Sequence, residues 1–222
     1  MKTILSDIAL PQLPFSENVS VFDSHELKQT APCTGCFSCW IKSPGACIFQ
    51  DDIASFTASM KQSDTLYILT ENVYGSYSPF VKCAIDRSLS YVQPYFTIRN
   101  HEMHHVLTSP THLQLIVIAY GSENEQEQNV LQALVQANGV NMDCRYVQCH
   151  HCADSEKALV RWVSKIFGGL NFRGQFRGLN FEGHFRGINP KRNRWHSSVS
   201  FSIMFYWLCF CEGGNHGSFL SI

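Results

Sequence analysis

Cys33, Cys36, Cys39 and Cys47 follow one another at C-x2-C-x2-C-x7-C spacing, the densest grouping of reactive side chains in the sequence. Two residues between cysteines allow neighbouring thiolates to face one centre, and Gly35, Pro44 and Gly45 supply the turns needed to wrap around it. A thiolate quartet of this kind suits an iron–sulfur cluster or zinc. Zinc is the weaker match, because its sites usually come as two separated C-x2-C knuckles. The competing interpretation is a loop whose cysteines are small, buried apolar residues.

A second stretch could hold a planar ligand. Residues Thr70-Glu71-Asn72-Val73-Tyr74-Gly75-Ser76-Tyr77-Ser78 read as a loop leaving an apolar strand, and Pro79 opens a helix behind it. Ser78 suits an N-cap and Pro79 the first helical position. Lys82 and Asp86 stand at i and i+4 and can pair. Tyr74 beside Gly75 offers a flat surface with accessible backbone amides. Ligands of open α/β sheets bind at this edge, outside the carboxyl ends of the strands. Cys149-His150-His151-Cys152 also has C-x2-C spacing, but it stands without a second knuckle; further histidines occur at 101, 104, 105 and 112. No G-x-S-x-G, P-loop or HExxH pattern is present. No side chain is nominated as a catalytic acid or base, and Asp86 and Arg87 read as helix anchors.

These groups belong to a chain with ample core. Of 222 residues, 45 % are hydrophobic and 16 % charged, and the formal net charge is −1. That balance calls for neither nucleic acid nor an anionic membrane surface. Ten cysteines are too sparse for a disulfide-stapled mini-protein. Asp7 interrupts the short apolar run at the N-terminus, so no signal peptide is expected. The apolar run Val199–Cys211 falls short of the roughly 20 residues of a membrane span. A reducing, cytoplasmic setting is the expectation, with ligand or redox roles for the cysteines.

Strand and helix patterns alternate as far as residue 167, which predicts a parallel sheet covered by helices. The clearest strands are Thr65–Thr70 and Leu113–Ala119, both short apolar runs of the kind buried on two faces; Thr3–Ala9, Val19–Phe22 and Cys144–Gln148 complete five. One helix is expected to start from a capping box of Ser122 and Glu125, bury Val130, Leu131, Leu134 and Val135, and end at Gly139. A second spans Asp154–Phe167, with Leu159, Trp162, Val163 and Ile166 on one face and Gly168 at its end. A third starts at Asp51 or Asp52 and buries Ile53, Phe56 and Met60.

Beyond this domain, residues 169–177 and 178–186 form a nine-residue tandem repeat rich in glycine, phenylalanine and arginine. Two copies are too few for a solenoid, and the segment 168–186 reads as a linker.

The pattern Y-x3-S-x3-K-x3-D-R from Tyr74 to Arg87, with Pro32-Cys33-Thr34-Gly35-Cys36-Phe37-Ser38-Cys39-Trp40 and P-G-x-C-x-x-x-D-D upstream, resembles the NAD(P)H-dependent FMN reductase and iron–sulfur flavoprotein group of flavodoxin-like proteins. The likeness covers roughly residues 30–150. It implies a flavodoxin-like α/β fold, a five-stranded parallel sheet with helices on both faces, extending over residues 1–167. It implies FMN at the strand ends and NAD(P)H as reductant, with electrons passing to an unknown acceptor. The ring would lie against Thr70, Asn72, Val73, Tyr74, Gly75 and Ser78, and Gly121 in the turn Tyr120-Gly121-Ser122 would approach its pyrimidine edge. In the iron–sulfur members a [4Fe–4S] cluster would map to Cys33, Cys36, Cys39 and Cys47. Flavin and nicotinamide nucleotides are the implied partners, and a homo-oligomer is compatible with them.

The chain departs from that pattern in two places. Asn72 stands where the family usually has proline. The phosphate loop and long helix expected after the first strand have no room between it and the second, where Leu10-Pro11-Gln12-Leu13-Pro14-Phe15 stands instead. A partial version of that loop occurs late, at 187–198, with Ser197 and Ser198 as phosphate-binding candidates. Residues 187–222 then read as the cut-short start of a second flavodoxin-like unit, or as a loop completing the first unit's site. Three functions follow as expectations: an FMN-dependent oxidoreductase, an FMN/[4Fe–4S] electron carrier without its own substrate, or a cofactor-free remnant with a binding role.

Overall fold

The computed structural model describes residues 1–10, 18–109 and 112–166. Five parallel strands form the central sheet: β1 (Lys2–Ser6), β2 (Val19–Asp23), β3 (Thr65–Glu71), β6 (Gln114–Tyr120) and β7 (Tyr146–Cys152). Their spatial order, β2-β1-β3-β6-β7, is the doubly wound flavodoxin-like order once a separate antiparallel pair, β4 (Val92–Arg99) and β5 (Glu102–Leu107), is set aside. The register runs Leu5 to Ile68, Ile68 to Val117 and Val117 to Cys149, so one row of alternating side chains crosses the sheet.

Period-two alternation divides the apolar residues between two cores. The short α1 (Ser38–Ile41) comes first among the described helices. Leu5, Leu66, Ile68, Leu115 and Val117 face α2 (Phe56–Lys61), α3 (Pro79–Arg87) and α4 (Glu125–Asn141), which bring Phe56, Met60, Val81, Leu131 and Val135. Ile4, Tyr67, Leu69, Ile116 and Ile118 face Ala158, Leu159, Trp162 and Val163 of α5 (Ser155–Ile166). Among the described residues α5 alone covers that second face. β1 ends at Ser6 and β2 begins at Val19, and no helix is described between them.

The expected strands stand, with β1 ending at Ser6 instead of Ala9 and β7 displaced toward residue 152. Val130, expected in the buried stripe of α4, is exposed, and three further helix details differ. The N-cap of α4 is Asn124, whose side chain accepts from the Gln126 amide, while the Ser122 hydroxyl donates to Glu127; no Ser122–Glu125 box forms. Gly139 does not end α4, which runs to Asn141. The glycine is needed there because a Cβ would collide with the Val147 side chain of β7. The third helix begins at Phe56, after turns at 51–55 that already bury Ile53.

The sequence reading missed the β4–β5 hairpin. Its turn, Asn100-His101, has φ of 51° and 67°, the two positive values of a type I′ connection, but lacks the glycine that usually announces one. Arg99 fastens it to the end of α4 through the Val140 and Asn141 carbonyls and an ion pair with Asp143. The repeat at 168–186 and the late loop with Ser197 and Ser198 lie outside the described residues.

Candidate functional site

The carboxyl ends of β1, β3 and β6 meet at one edge of the sheet, and the segment 70–78 leaves from it. The Thr70 hydroxyl donates to the Glu71 carbonyl and accepts the Ser78 amide, so this fully buried side chain is engaged in shaping the loop. Asn72 donates its backbone N–H to the Tyr120 carbonyl at 2.8 Å. Proline has no N–H to make that bond, which gives a physical reason for asparagine here. Asn72 Oδ1 also accepts the Gly75 amide at 2.9 Å.

Val73 and Ser76 exchange two backbone hydrogen bonds across Tyr74 and Gly75, whose φ angles are 53° and 82°. This is a two-residue type I′ hairpin. Gly75 is required twice: by its positive φ, and because a Cβ would lie 2.7 Å from the Val130 side chain of α4. The result is a stiff tip holding Tyr74 88 % exposed to solvent. Beneath it, Asn72 Nδ2 is buried without a hydrogen-bond partner, while the Ser78 hydroxyl faces the Asp7 carboxylate. An orphaned buried polar atom costs about 1–3 kcal/mol, and a bound group that met it would recover that cost. On this side the residues fit a planar, polar-edged ring such as a flavin.

The β1 side does not fit its phosphate. Asp7 follows β1, and its carboxylate accepts the Glu71 amide at 2.6 Å and the Tyr120 hydroxyl at 3.1 Å, bridging three strands. Burial pushes this carboxyl up to about 6, with the charge of Glu71 adding to the rise and hydrogen bonds from the Glu71 amide and the Ser78 and Tyr120 side chains opposing it. The sign of the pH dependence follows. The folded state holds the Asp7 proton more tightly than an unfolded chain, so ionisation destabilises the protein above about pH 6 and costs nothing below the ordinary carboxyl pKa of about 4. Asp7→Asn keeps an acceptor for Glu71 and gives Tyr120 a donor. Urea denaturation is expected to show this variant about 1–3 kcal/mol more stable than the parent at pH 8, and no more stable at pH 4. Equal stability of the two proteins at pH 8 would contradict a raised Asp7.

Lys82 and Asp86 pair on α3 at 2.6 Å, as their spacing predicts. Arg87 anchors more than its own helix. It is 2 % exposed, forms a two-pronged pair with Asp51 at 2.7 and 3.0 Å, donates to the Ala31 and Phe49 carbonyls, and lies over the Phe49 ring. Asp51 also accepts the Ala31 amide, and Asp52 accepts those of Lys28 and Gln29. The upstream Asp-Asp and the downstream Arg therefore clamp the two ends of the cysteine loop.

Within that loop Cys33, Cys39 and Cys47 are half-buried and Cys36 is exposed. Burial, then the neighbouring Cys33, Cys47 and Cys36, pushes Cys39 up to about 11, while hydrogen bonds from Ser38 hold Cys36 below the ordinary thiol range. The four thiols are thus electrostatic neighbours. Among the described residues, however, no group of three or more Cys, His, Asp or Glu side chains is arranged to hold a metal ion. As placed, the quartet does not fit a metal site. Cys149 and His151 approach each other at 3.7 Å on β7, whereas His150 meets Gln148 and Arg161. A cleft of about 530 Å³ lies beside the cysteine loop, lined by Cys39, Trp40, Gly45, Lys61, Val92 and Tyr95. Among the described residues no helix is long and apolar enough to cross a membrane.

No family model and no curated protein matches this chain. Among solved structures it is similar to an NAD(P)H:quinone oxidoreductase from Methanothermobacter marburgensis, at 11 % identity and TM-score 0.49, covering 78 % of this chain and 98 % of that one. It is also similar to an FMN-dependent NADH-azoreductase from Bacillus anthracis in complex with FMN, at 12 % identity and TM-score 0.43, covering 74 % and 95 %. An NADPH-quinone reductase from P. pentosaceus aligns at 10 % identity and TM-score 0.40, covering 77 % and 99 %.

Proposed function

We propose that this chain is a flavin-dependent oxidoreductase of the FMN-reductase type, taking electrons from NAD(P)H and passing them to a separate acceptor. The observation that carries the reading is the Tyr74–Gly75 hairpin at the carboxyl end of β3, with Asn72 Nδ2 orphaned beneath it. The position is the switch point at which flavodoxin-like sheets bind flavin, and the motif running from Tyr74 to Arg87 supports it. A bound flavin supplies the redox chemistry, accepting hydride from a nicotinamide and releasing electrons singly or in pairs. The chain's part is to bind and orient. Tyr74 would cover one face of the ring, the Gly75 and Gly121 turns would leave room at its edge, and Asn72 Nδ2 would donate to a ring acceptor.

The rival reading is an electron carrier with a [4Fe–4S] cluster on Cys33, Cys36, Cys39 and Cys47. The mutual electrostatics of the four thiols favour it, and their arrangement as placed does not; no electron path is drawn through it. The visible spectrum of the full chain, purified anaerobically, separates the readings. Flavin bands that bleach on adding NADH or NADPH are the expected result. Flavin bands with a broad brown shoulder would favour the carrier. A colourless protein that stays colourless after incubation with flavin would favour a binding remnant and defeat the proposal.

A further inference from the structure

We infer that Asp7 sets the crevice between β1 and β3 against a phosphorylated flavin, so that the ligand of this edge is an isoalloxazine without a phosphate, as in riboflavin. The inference rests on the flavin reading above and names the ligand class of that same site.

A phosphate at this topological position needs free backbone N–H groups at the end of β1, usually opening a helix. Among the described residues, the amides of Asp7 and Ile8 after β1 and of Glu71 beside them are engaged. The Asp7 amide donates to the Leu69 carbonyl at 3.2 Å, the Ile8 amide donates to the Ser6 hydroxyl at 3.2 Å, and the Glu71 amide donates to the Asp7 carboxylate at 2.6 Å. The Ser6 hydroxyl in turn donates to the Ile8 carbonyl, and Ser24 donates to the Asp7 carbonyl, closing the turn on itself.

The charge at the crevice is also of the wrong sign. Asp7 stands at its centre, and the Glu71 carboxylate lies beside Gly121, 3.7 Å from where a Cβ on that glycine would be. No lysine or arginine among the described residues forms an ion pair with either acid. A phosphate monoester carries about −1.5 to −2 charge near neutrality and would meet carboxylates instead of amides. The ring side of the site has a different character: Asn72 Nδ2 is a buried donor without a partner, and the hairpin tip Val73-Tyr74-Gly75-Ser76 carries no charged side chain. An uncharged isoalloxazine satisfies the second half of the site without confronting the first.

The test is fluorescence titration of riboflavin and FMN into the full chain and its Asp7→Asn variant at pH 8. The parent is expected to bind riboflavin roughly tenfold or more tighter than FMN. Asp7→Asn is expected to narrow that ratio to about twofold, chiefly by tightening FMN. Should the variant fail to fold, the parent alone still decides, because high salt must narrow the same ratio by screening the repulsion. FMN binding as tightly as riboflavin, or tighter, would overturn the inference and leave the flavin reading standing; it would point to a phosphate site elsewhere, such as 187–198. A preference for riboflavin that neither the variant nor salt alters would overturn the role given to Asp7. Binding of neither flavin would overturn both readings.

Discussion

Replacing Arg87 with methionine is expected to cost about 3–5 kcal/mol of folding stability and to unfasten the cysteine loop. The side chain is 2 % exposed and its partner Asp51 13 %, so neither can turn to water when the other is removed. Methionine fills much of the volume but leaves the Asp51 carboxylate buried with the Ala31 amide as a remaining donor, and takes donors from the Ala31 and Phe49 carbonyls. Burial alone would raise Asp51; the hydrogen bonds and charge of Arg87 outweigh it and hold the carboxyl below the usual range. The sign of the linkage follows. The pair's contribution is fully present above the ordinary carboxyl pKa of about 4 and is lost as pH falls through the depressed value. The deficit of Arg87→Met in thermal unfolding is therefore expected to be large at pH 7 and to shrink toward pH 3. Arg87→Met combined with Asp51→Asn should recover part of the loss, because it removes the uncompensated charge. A Tm within 2 °C of the parent at pH 7 would show that the clamp contributes nothing.

Trp162→Ala is expected to cost a similar amount, about 3–5 kcal/mol, by a different route. Trp162 is fully buried between α5 and the sheet face formed by Ile4, Tyr67, Leu69, Ile116 and Ile118. In most doubly wound sheets two helices share such a face. Among the described residues α5 packs on this face, and Trp162 is its largest fully buried side chain. Urea denaturation measures the loss, and Val160→Ala, on the exposed side of the same helix, should stay within about 0.5 kcal/mol of the parent. Equal effects from the two substitutions would mean that α5 does not dock as described.

The parts of this architecture legible in the sequence were those written in apolar pattern. β3 and β6 are runs buried on both faces, and α5 carries one apolar stripe; local composition suffices for both. β7 was harder, because Cys149, His150, His151 and Cys152 look like ligands while serving as strand residues. The β4–β5 hairpin was hidden by a turn of asparagine and histidine, whose positive φ angles follow from pairing of the strands and not from glycine. At the site, Tyr74, Gly75, Ser78 and Pro79 announced a loop and helix start. Asp7 was legible only as a break in the N-terminal apolar run, inside the expected strand Thr3–Ala9. Its significance comes from Glu71 and Tyr120, distant in sequence and brought to it by the parallel register. Arg87 was legible as an anchor, but what it anchors became visible only with Ala31, Phe49 and Asp51 around it.

The central claim is that a flavin ring lies against Tyr74 at the carboxyl edge of the sheet, and riboflavin titration of the parent, Tyr74→Ala and Tyr74→Phe tests it most directly. Tyr74 is 88 % exposed at the tip of a hairpin, so its removal leaves no cavity and should not disturb the fold. Losing an aromatic face costs about 0.5–1.5 kcal/mol beyond the lost contact area, or roughly two- to twelvefold in affinity. The account predicts that Tyr74→Ala weakens riboflavin binding by at least that much, that Tyr74→Phe binds nearly as the parent does, and that all three proteins unfold at the same urea concentration. Unchanged affinity in Tyr74→Ala, with the fold intact, would contradict the placement of the ring.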